Sequence, residues 1–161
     1  MSDMKTVGLG IGWDELKVGD RFKTISRTVT EADMVNFINT TGMVEVLFTD
    51  AEYAKEHAPQ GGRLVPGALV YCFAEGLLVQ ATLQRTGLAF LEMSFQVKGP
   101  TFVGDTIHVE VEVLESRPTS KSPDRGVIKT RNIIYNQNGD ELITYEPVRL
   151  AASSRMKNAE V

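Results

Sequence analysis

The chain of 161 residues is long enough for one domain with a single core, whereas two domains of half that length would each be marginal. Its content of 42% apolar and 24% charged residues is typical of a folded globular protein and excludes a disordered tail. The formal charge of -4, with no cluster of lysine and arginine, argues against nucleic acid or an anionic membrane as the main partner.

The single cysteine and the amino-terminal segment favour a cytoplasmic protein. Cys72 has no second cysteine to pair with, no cysteine–histidine spacing suggests a metal site, and its apolar neighbours predict a buried structural thiol. Residues 1–22 lack the apolar core of a signal peptide. Residues 64–83 approach the length of a membrane span, but Glu75 and Gln80 favour a buried core helix instead.

The first third of the chain predicts a strand and then a short helix. Residues 14–29 alternate around Phe22, Ile25 and Val29, which is typical of a strand. The segment "TVTEADMVNFINTTG" predicts a helix with Thr30 as its N-cap, Asp33 at the third helical position and Gly42 at its end. The residues expected to face the core from this helix are Met34, Phe37 and Ile38.

A second short helix and a turn precede the most apolar segment. Asp50 is expected to cap the helix "AEYAKEH", which ends before Pro59. Residues 59–62, Pro-Gln-Gly-Gly, predict a turn or a mobile loop.

A long central helix is predicted from Pro66 to about Arg85, because proline suits the first helical position. This helix is apolar on nearly every side, which predicts burial on all sides. Glu75 is the exception, since a buried carboxylate is costly unless it is paired, hydrogen-bonded or protonated. It therefore either faces solvent or has a function.

The remainder of the chain predicts four antiparallel strands in a meander, at residues 88–99, 104–117, 126–137 and 140–153. The segment "NQNGDE" between the last two is a strong hairpin signal. Only the long helix is available to cover the apolar face of such a sheet, so the expected fold class is α+β, with an antiparallel sheet wrapped around one central helix.

This arrangement resembles the hot-dog fold, and specifically the MaoC-like hydratase/dehydratase family. The resemblance is carried by "VGDRF", "TVTEADMVNFINTTG", "LFTDAEYAKE", "GGRLVPGAL", "PTFVGDTIHVEVEV" and "NQNGDEL" in this order. It places an amino-terminal arm at residues 1–12, a hot-dog domain at 13–152 and a tail at 153–161 that we expect to be frayed. It implies an acyl-CoA or acyl-carrier-protein thioester as ligand, with no cofactor other than the CoA of the substrate. It also implies a homodimer or a trimer of dimers, with the acyl tunnel at the subunit interface.

The resemblance also implies a catalytic pair that this chain lacks. Hydratases of the family carry a pattern close to Gly-Asp-x-Asn-Pro-x-His-x-Asp, in which Asp and His activate a water molecule. Residues 42–50, "GMVEVLFTD", retain only the first and last residues of this pattern. Met43 replaces the catalytic Asp, Phe48 replaces the His, and neither side chain transfers protons. The resulting apolar wall favours a hydrophobic or aromatic acyl group.

The thioester-binding feature of the family is retained. A glycine at the start of the central helix offers its backbone N–H to the thioester carbonyl, and here the resemblance assigns this position to Gly67, although Pro66 replaces the family's common histidine. Unpaired N–H groups at the positive end of a helix dipole suit a polarised carbonyl or an oxyanion.

Two carboxylates are candidate catalytic residues. Glu75 lies eight residues after Gly67, about 12 Å along the axis, so the two can meet only across a two-fold dimer. Some hot-dog thioesterases combine a glycine and an acidic residue at this spacing, with the acid as nucleophile or base. Alternatively, Glu75 is structural and pairs at a helix edge with Arg85 or with a strand lysine. Glu45 is either a base in the tunnel or a solvated residue of a turn.

Further residues are expected to contact the substrate. Arg63 either meets the pantetheine or a phosphate of CoA or is merely solvated, and Tyr71 either lines the tunnel or is a core aromatic. The residues assigned to substrate binding are Arg63, Gly67, Ala68, Tyr71, Met43 and Phe48. His57 is either a phosphate contact or without a role.

Three functions are therefore open from the sequence. The first is a divergent hydratase/dehydratase-family enzyme without the usual Asp–His pair. The second is an acyl-CoA thioesterase that uses Gly67 and Glu75. The third is a non-catalytic acyl-CoA binding protein, or a partner subunit of an active MaoC-like chain.

Overall fold

The computed structural model describes residues 4–58 and 61–159. In chain order its strands and helices are β1 (Arg21–Lys23), β2 (Arg27–Thr28), α1 (Glu31–Thr41), α2 (Val46–Thr49), α3 (Ala51–His57), α4 (Gly67–Leu78), β3 (Gly87–Val97), β4 (Thr106–Pro118), β5 (Arg125–Tyr135), β6 (Glu141–Ala152) and α5 (Ser154–Lys157). A 3-10 turn, Trp13–Glu15, precedes β1, and a π-helical turn, Val79–Leu83, extends α4.

The strands form one antiparallel sheet in the order β1-β4-β5-β6-β3, and β2 also pairs with β4. The sheet curves around α4, which confirms the predicted α+β class. The strands β4, β5 and β6 follow one another as expected, but the predicted four-stranded meander is wrong. β3 pairs with β6 rather than with β4. The connection 98–105 is longer than a tight hairpin, and an antiparallel bridge between Phe102 and Leu64 joins it to the segment before α4.

The core lies between the inner face of the sheet and α4. Its members are buried apolar side chains from all parts of the fold. They are Val29, Met34, Val65, Leu69, Val70, Ala74, Leu78, Ile107, Val109, Val111, Ile134, Leu142, Ile143 and Tyr145.

Helix α1 begins and ends as its sequence predicts. Thr30 accepts a hydrogen bond from the backbone N–H of Asp33, whose carboxylate in turn accepts one from the Thr30 N–H. Gly42 has φ +73°, a left-handed conformation that glycine adopts without steric cost. Met34 and Ile38 are buried in the core, as expected.

The second helical prediction is also confirmed. The carboxylate of Asp50 accepts hydrogen bonds from the N–H groups of Glu52 and Tyr53, each at 3.0 Å, and so caps α3. Of the predicted turn at 59–62, Pro59 and Gln60 lie outside the described residues.

The predicted first strand is interrupted. β1 and β2 each cover part of it, and Ile25 between them is 79% exposed, so the alternation around Ile25 does not mark a buried face. The interruption lets both pieces follow the twisting edge of β4.

Helix α4 differs from its prediction in two respects. Pro66 is the N-cap rather than the first helical residue, and the regular helix ends at Leu78. The helix is not buried on every side, because Ala68 and Cys72 are exposed in the single chain. The prediction of a buried Cys72 is therefore wrong for this chain taken alone. Among the described residues, no helix is both long and apolar enough to cross a membrane.

The tail that was predicted to be frayed forms the helix α5, and its residues 160 and 161 lie outside the described residues. Ser153 caps α5, and the Ser154 N–H and hydroxyl each donate to Asp14 at 2.6 Å. These contacts attach α5 to the 3-10 turn near the amino terminus.

Candidate functional site

The start of α4 presents unpaired backbone donors. Pro66 caps the helix without a side-chain hydrogen bond, and the first hydrogen bond of the helix runs from the Leu69 N–H to the Pro66 carbonyl at 2.9 Å. The preceding N–H groups, of Gly67 and Ala68, have no acceptor within the helix. They lie at the positive end of its dipole and suit a carbonyl oxygen or an anion.

The donors border an exposed apolar surface formed by α4 and β3. Tyr71 packs edge-on against Phe95, with ring centroids 5.7 Å apart. A Cβ added to Gly67 would lie 3.8 Å from Val97, so the strand end is close to the helix start. We define the α4–β3 face by Gly67, Ala68, Tyr71, Cys72, Met93, Phe95 and Val97. An apolar group held against this face would have its polar end near the helix start.

The strand β3 is an open edge of the sheet. Within the part of the chain that the structure describes it pairs only with β6, and each of its eleven residues is exposed in the single chain. Its inner side carries large apolar side chains, including Phe90, Met93 and Phe95, and Val97 is 60% exposed. An exposed, apolar edge strand is a ready template for pairing with another chain.

Glu75 is bound within its own chain. The guanidinium Nη2 of Arg149 donates to both carboxylate oxygens at 2.7 Å, and the Tyr145 hydroxyl donates to Oε1 at 2.8 Å. The side chains of Glu75 and Arg149 are 17% and 14% exposed. The carboxylate is thus paired and hydrogen-bonded, as burial requires, but its partner is neither Arg85 nor a strand lysine.

The Glu75 charge acts on the groups around it. Burial, and then the charge of Glu75, raise the pKa of the Tyr145 hydroxyl far above its ordinary value, so this group stays protonated and serves as a donor. Partial burial, and then the charge of Glu75, likewise raise the pKa of Tyr71 and of the Cys72 thiol, although Cys72 is exposed by its overall surface area.

The segment 42–50 carries no acid–base pair. Met43 is 40% exposed and Phe48 is half-buried, so both are accessible as an apolar wall. The carboxylate of Glu45 accepts a hydrogen bond from the Leu47 N–H at 2.7 Å and caps α2. Its observed role is structural, and its proposed role as a base stays a prediction.

Arg63 and His57 have protein partners. Arg63 donates through Nε and Nη2 to Glu31 at the start of α1, with a shortest distance of 2.7 Å. The His57 ring is stacked on Tyr53, with centroids 4.1 Å apart. Contact of either residue with a CoA phosphate stays a prediction.

Tyr145 and Arg149 were not among the predicted site residues. A signal was present, because the two residues lie four apart on a predicted strand and therefore share a face. That face also carries the buried residue Ile143, so the sequence predicts that Tyr145 and Arg149 point towards the central helix. A carboxylate on the helix and an arginine on the inner face of the sheet are natural partners.

The chain is similar to known families and structures. A family model described as MaoC like domain matches residues 15–133. A MaoC-like dehydratase from Rhodospirillum rubrum is 26% identical, with a TM-score of 0.78 over 89% of this chain and 98% of the other. An unliganded R-hydratase from Pseudomonas aeruginosa is 25% identical, with a TM-score of 0.72 over 90% of this chain and 88% of the other.

A further structure agrees in fold. A conserved hypothetical protein from Mycobacterium tuberculosis with a double hot-dog fold has a TM-score of 0.81 at 19% identity, over 98% of this chain and 48% of the other. The hot-dog fold is thus shown by structural similarity. No protein with a curated description matches the chain by sequence.

Proposed function

This chain belongs to the MaoC-like domain family, a family of hydratases and dehydratases, and from that premise we propose that it binds an acyl thioester at the start of α4. The observation that carries the proposal is the pair of free N–H groups at Gly67 and Ala68 beside an exposed apolar surface. A thioester offers the matching chemistry, a carbonyl oxygen attached to an apolar chain.

The proposed binding mode follows from this geometry. The carbonyl oxygen accepts a hydrogen bond from the Gly67 N–H, and the helix dipole adds to the polarisation of the carbonyl. The acyl chain lies along the α4–β3 face, against Tyr71 and Phe95. Gly67 has no side chain to block the approach.

The α4–β3 face is completed by a second copy of the chain. β3 leaves one edge unpaired, and exposed apolar side chains continue from β3 onto α4. A two-fold dimer through β3 satisfies the backbone groups of both edges and buries these side chains. The thioester then lies between the two subunits.

Hydration through the segment 42–50 is not expected. General acid–base catalysis requires a side chain that transfers a proton within hydrogen-bond distance of substrate. Met43 and Phe48 have no such proton, and the Glu45 carboxylate is engaged in capping α2. The protein is therefore proposed to be a divergent family member that binds its thioester without the usual catalytic pair.

Hydrolysis of the thioester by Glu75 is the second candidate. The spacing from Gly67 supports it, but Arg149 and Tyr145 donate three hydrogen bonds to the carboxylate. These bonds occupy three of the roughly four lone-pair positions of the carboxylate and stabilise its charge, which makes Glu75 a weaker nucleophile or base. These contacts favour the binding role, alone or as a partner subunit of an active MaoC-like chain.

One experiment separates these functions. The purified protein is incubated with saturated and 2-enoyl CoA thioesters while free thiol and enoyl absorbance are followed, and binding is measured by calorimetry. We expect saturable binding with neither thiol release nor enoyl loss. Thiol release that Glu75→Gln abolishes would support the thioesterase, and enoyl loss would show a relocated acid–base pair. No binding of any thioester would contradict the proposal.

A further inference from the structure

A small cavity lies beneath the carboxyl-terminal end of α4, away from Gly67. Its volume is about 40 Å³. Leu78 at its roof lies eleven residues after Gly67, about 16 Å further along the helix axis. Most of its lining is apolar and comes from the amino-terminal arm, the helix and the inner face of the sheet. Representative members are Ile11, Leu78, Leu83, Val111, Ile128 and Ala151.

One buried polar atom in this lining lacks a partner among the described residues. Asn132 on β5 is 1% exposed, and its Oδ1 atom is hydrogen-bonded to no group of the described residues. A buried acceptor without a donor is costly and is rare in folded proteins. Of the other polar groups at the cavity, Arg149 donates to Glu75 and the Thr82 hydroxyl donates to the Leu78 carbonyl at 2.8 Å, while the Thr130 hydroxyl also borders the cavity. The Oδ1 atom of Asn132 therefore requires a hydrogen-bond donor from outside the described residues.

The size and the lining of the cavity limit which kind of molecule supplies that hydrogen-bond donor. A water molecule needs about 10–15 Å³ of such space and two to four polar partners. The cavity exceeds the volume of one water, and Asn132 is its one unengaged buried acceptor among the described residues. An apolar body of two or three heavy atoms with one donor at its end fits the volume, the apolar walls and the free acceptor together.

We propose that the Asn132 cavity is a binding site for a short aliphatic group that ends in a hydroxyl. The hydroxyl donates to Asn132 Oδ1, and the carbon atoms pack against Leu78, Ile128 and Ala151. The group is either a free short-chain alcohol or the end of a longer aliphatic ligand.

Two probes of equal size test the requirement for a donor. Ethanol and acetonitrile each have three heavy atoms, but only ethanol donates a hydrogen bond. Titrations are followed by ¹H–¹⁵N NMR at the Asn132 side-chain amide and the backbone N–H of Thr82 and Ala151. We expect saturable shifts with ethanol and at least tenfold weaker binding of acetonitrile. Shifts that grow linearly with both probes, or equal affinities for them, would overturn the proposal.

Two variants locate the site and identify the source of the group. Asn132→Leu is expected to remove the preference for ethanol, and Ala151→Val, which fills the cavity, to weaken both probes. Unchanged ethanol binding in Ala151→Val would place the alcohol elsewhere and contradict the proposal. If Asn132→Leu does not fold, the comparison of probes on the wild-type protein still decides. A series of ω-hydroxyacyl-CoA thioesters that shifts the Asn132 amide below ethanol concentrations would identify a tethered group, whereas a response to ethanol alone would identify a free alcohol.

Discussion

Glu75 on α4 and Arg149 on β6 form an ion pair across the interface between helix and sheet, with 2.7 Å from the guanidinium Nη2 to each carboxylate oxygen. Tyr145, itself a member of the core, donates a third hydrogen bond to the same carboxylate. Arg149 also lies over the Phe90 ring of β3, 4.8 Å from its centroid. The pair therefore links the central helix to the sheet and to its open edge.

Loss of Arg149 should destabilise the fold. Removing one partner of a buried ion pair leaves the other charge unpaired and costs about 3 kcal/mol. We expect Arg149→Met to lower the free energy of unfolding by that amount in urea denaturation. The double variant Glu75→Gln/Arg149→Met should recover part of the loss, because neither charge remains. Additive losses in the double variant would show that the two side chains do not interact.

The reactivity of Cys72 should report the charge of Glu75. Burial, and then the Glu75 charge, raise the pKa of the thiol, so the thiolate fraction is small at neutral pH and rises only in alkali. Because a second copy would cover the α4–β3 face, labelling is followed in a Phe95→Lys background, which is expected to be monomeric. We expect the rate of labelling by a small thiol reagent to be still increasing at about pH 9, above the ordinary thiol pKa. In Glu75→Gln the profile should move to lower pH. A labelling rate that is already constant at neutral pH would contradict a raised pKa of the Cys72 thiol.

The open edge of the sheet should make the protein a dimer. Light scattering coupled to size exclusion should give about 35 kDa, twice the chain mass of 17.7 kDa. Phe95→Lys places a charge on the apolar inner side of β3 and should shift the protein to a monomer. Ser94→Lys is the matched control, because the adjacent residue faces the opposite side of the strand. A monomeric wild-type protein, or a dimer that Phe95→Lys leaves intact, would exclude this interface.

Restoring the family's acid–base pair should create hydration. We expect Met43→Asp/Phe48→His to remove 2-enoyl-CoA absorbance at least 10²-fold faster than the wild-type protein, the usual contribution of a placed acid–base group. Met43→Asn/Phe48→His serves as the control, because its amide cannot take up the proton. Hydration by the wild-type chain at the rate of the restored variant would show that Met43 and Phe48 do not disable the site.

The helices and strands were largely predictable because their signals are local. The capping of α1 by Thr30 and Asp33, and of α3 by Asp50, depends on residues within one turn. The hairpin before β6 depends on Gly139, which has φ +83°. The pairing of β3 with β6 was not predictable in this way. Periodicity identifies a strand, but it does not indicate which other strand lies beside it.

The site was predictable in part for the same reason. The resemblance identified Gly67 and the lost pair at Met43 and Phe48, which are properties of single positions. The partners of Glu75 come from 70 and 74 residues away. Their spacing places both on one strand face, but no local pattern pairs them with Glu75. The exposure of Cys72 reflects a helix face that the single chain does not cover, whereas hydropathy alone predicts burial for any apolar neighbourhood.

The most direct test of the account is the affinity of an acyl-CoA thioester for Gly67→Pro relative to Gly67→Ala. Both variants add a Cβ, which has room at 3.8 Å from Val97, but only proline removes the N–H, and proline is tolerated at the first helical position. We predict that Gly67→Pro binds the thioester about tenfold more weakly than Gly67→Ala, the loss expected for one hydrogen bond. Equal affinities in two folded variants would contradict the proposal that the start of α4 holds the thioester carbonyl.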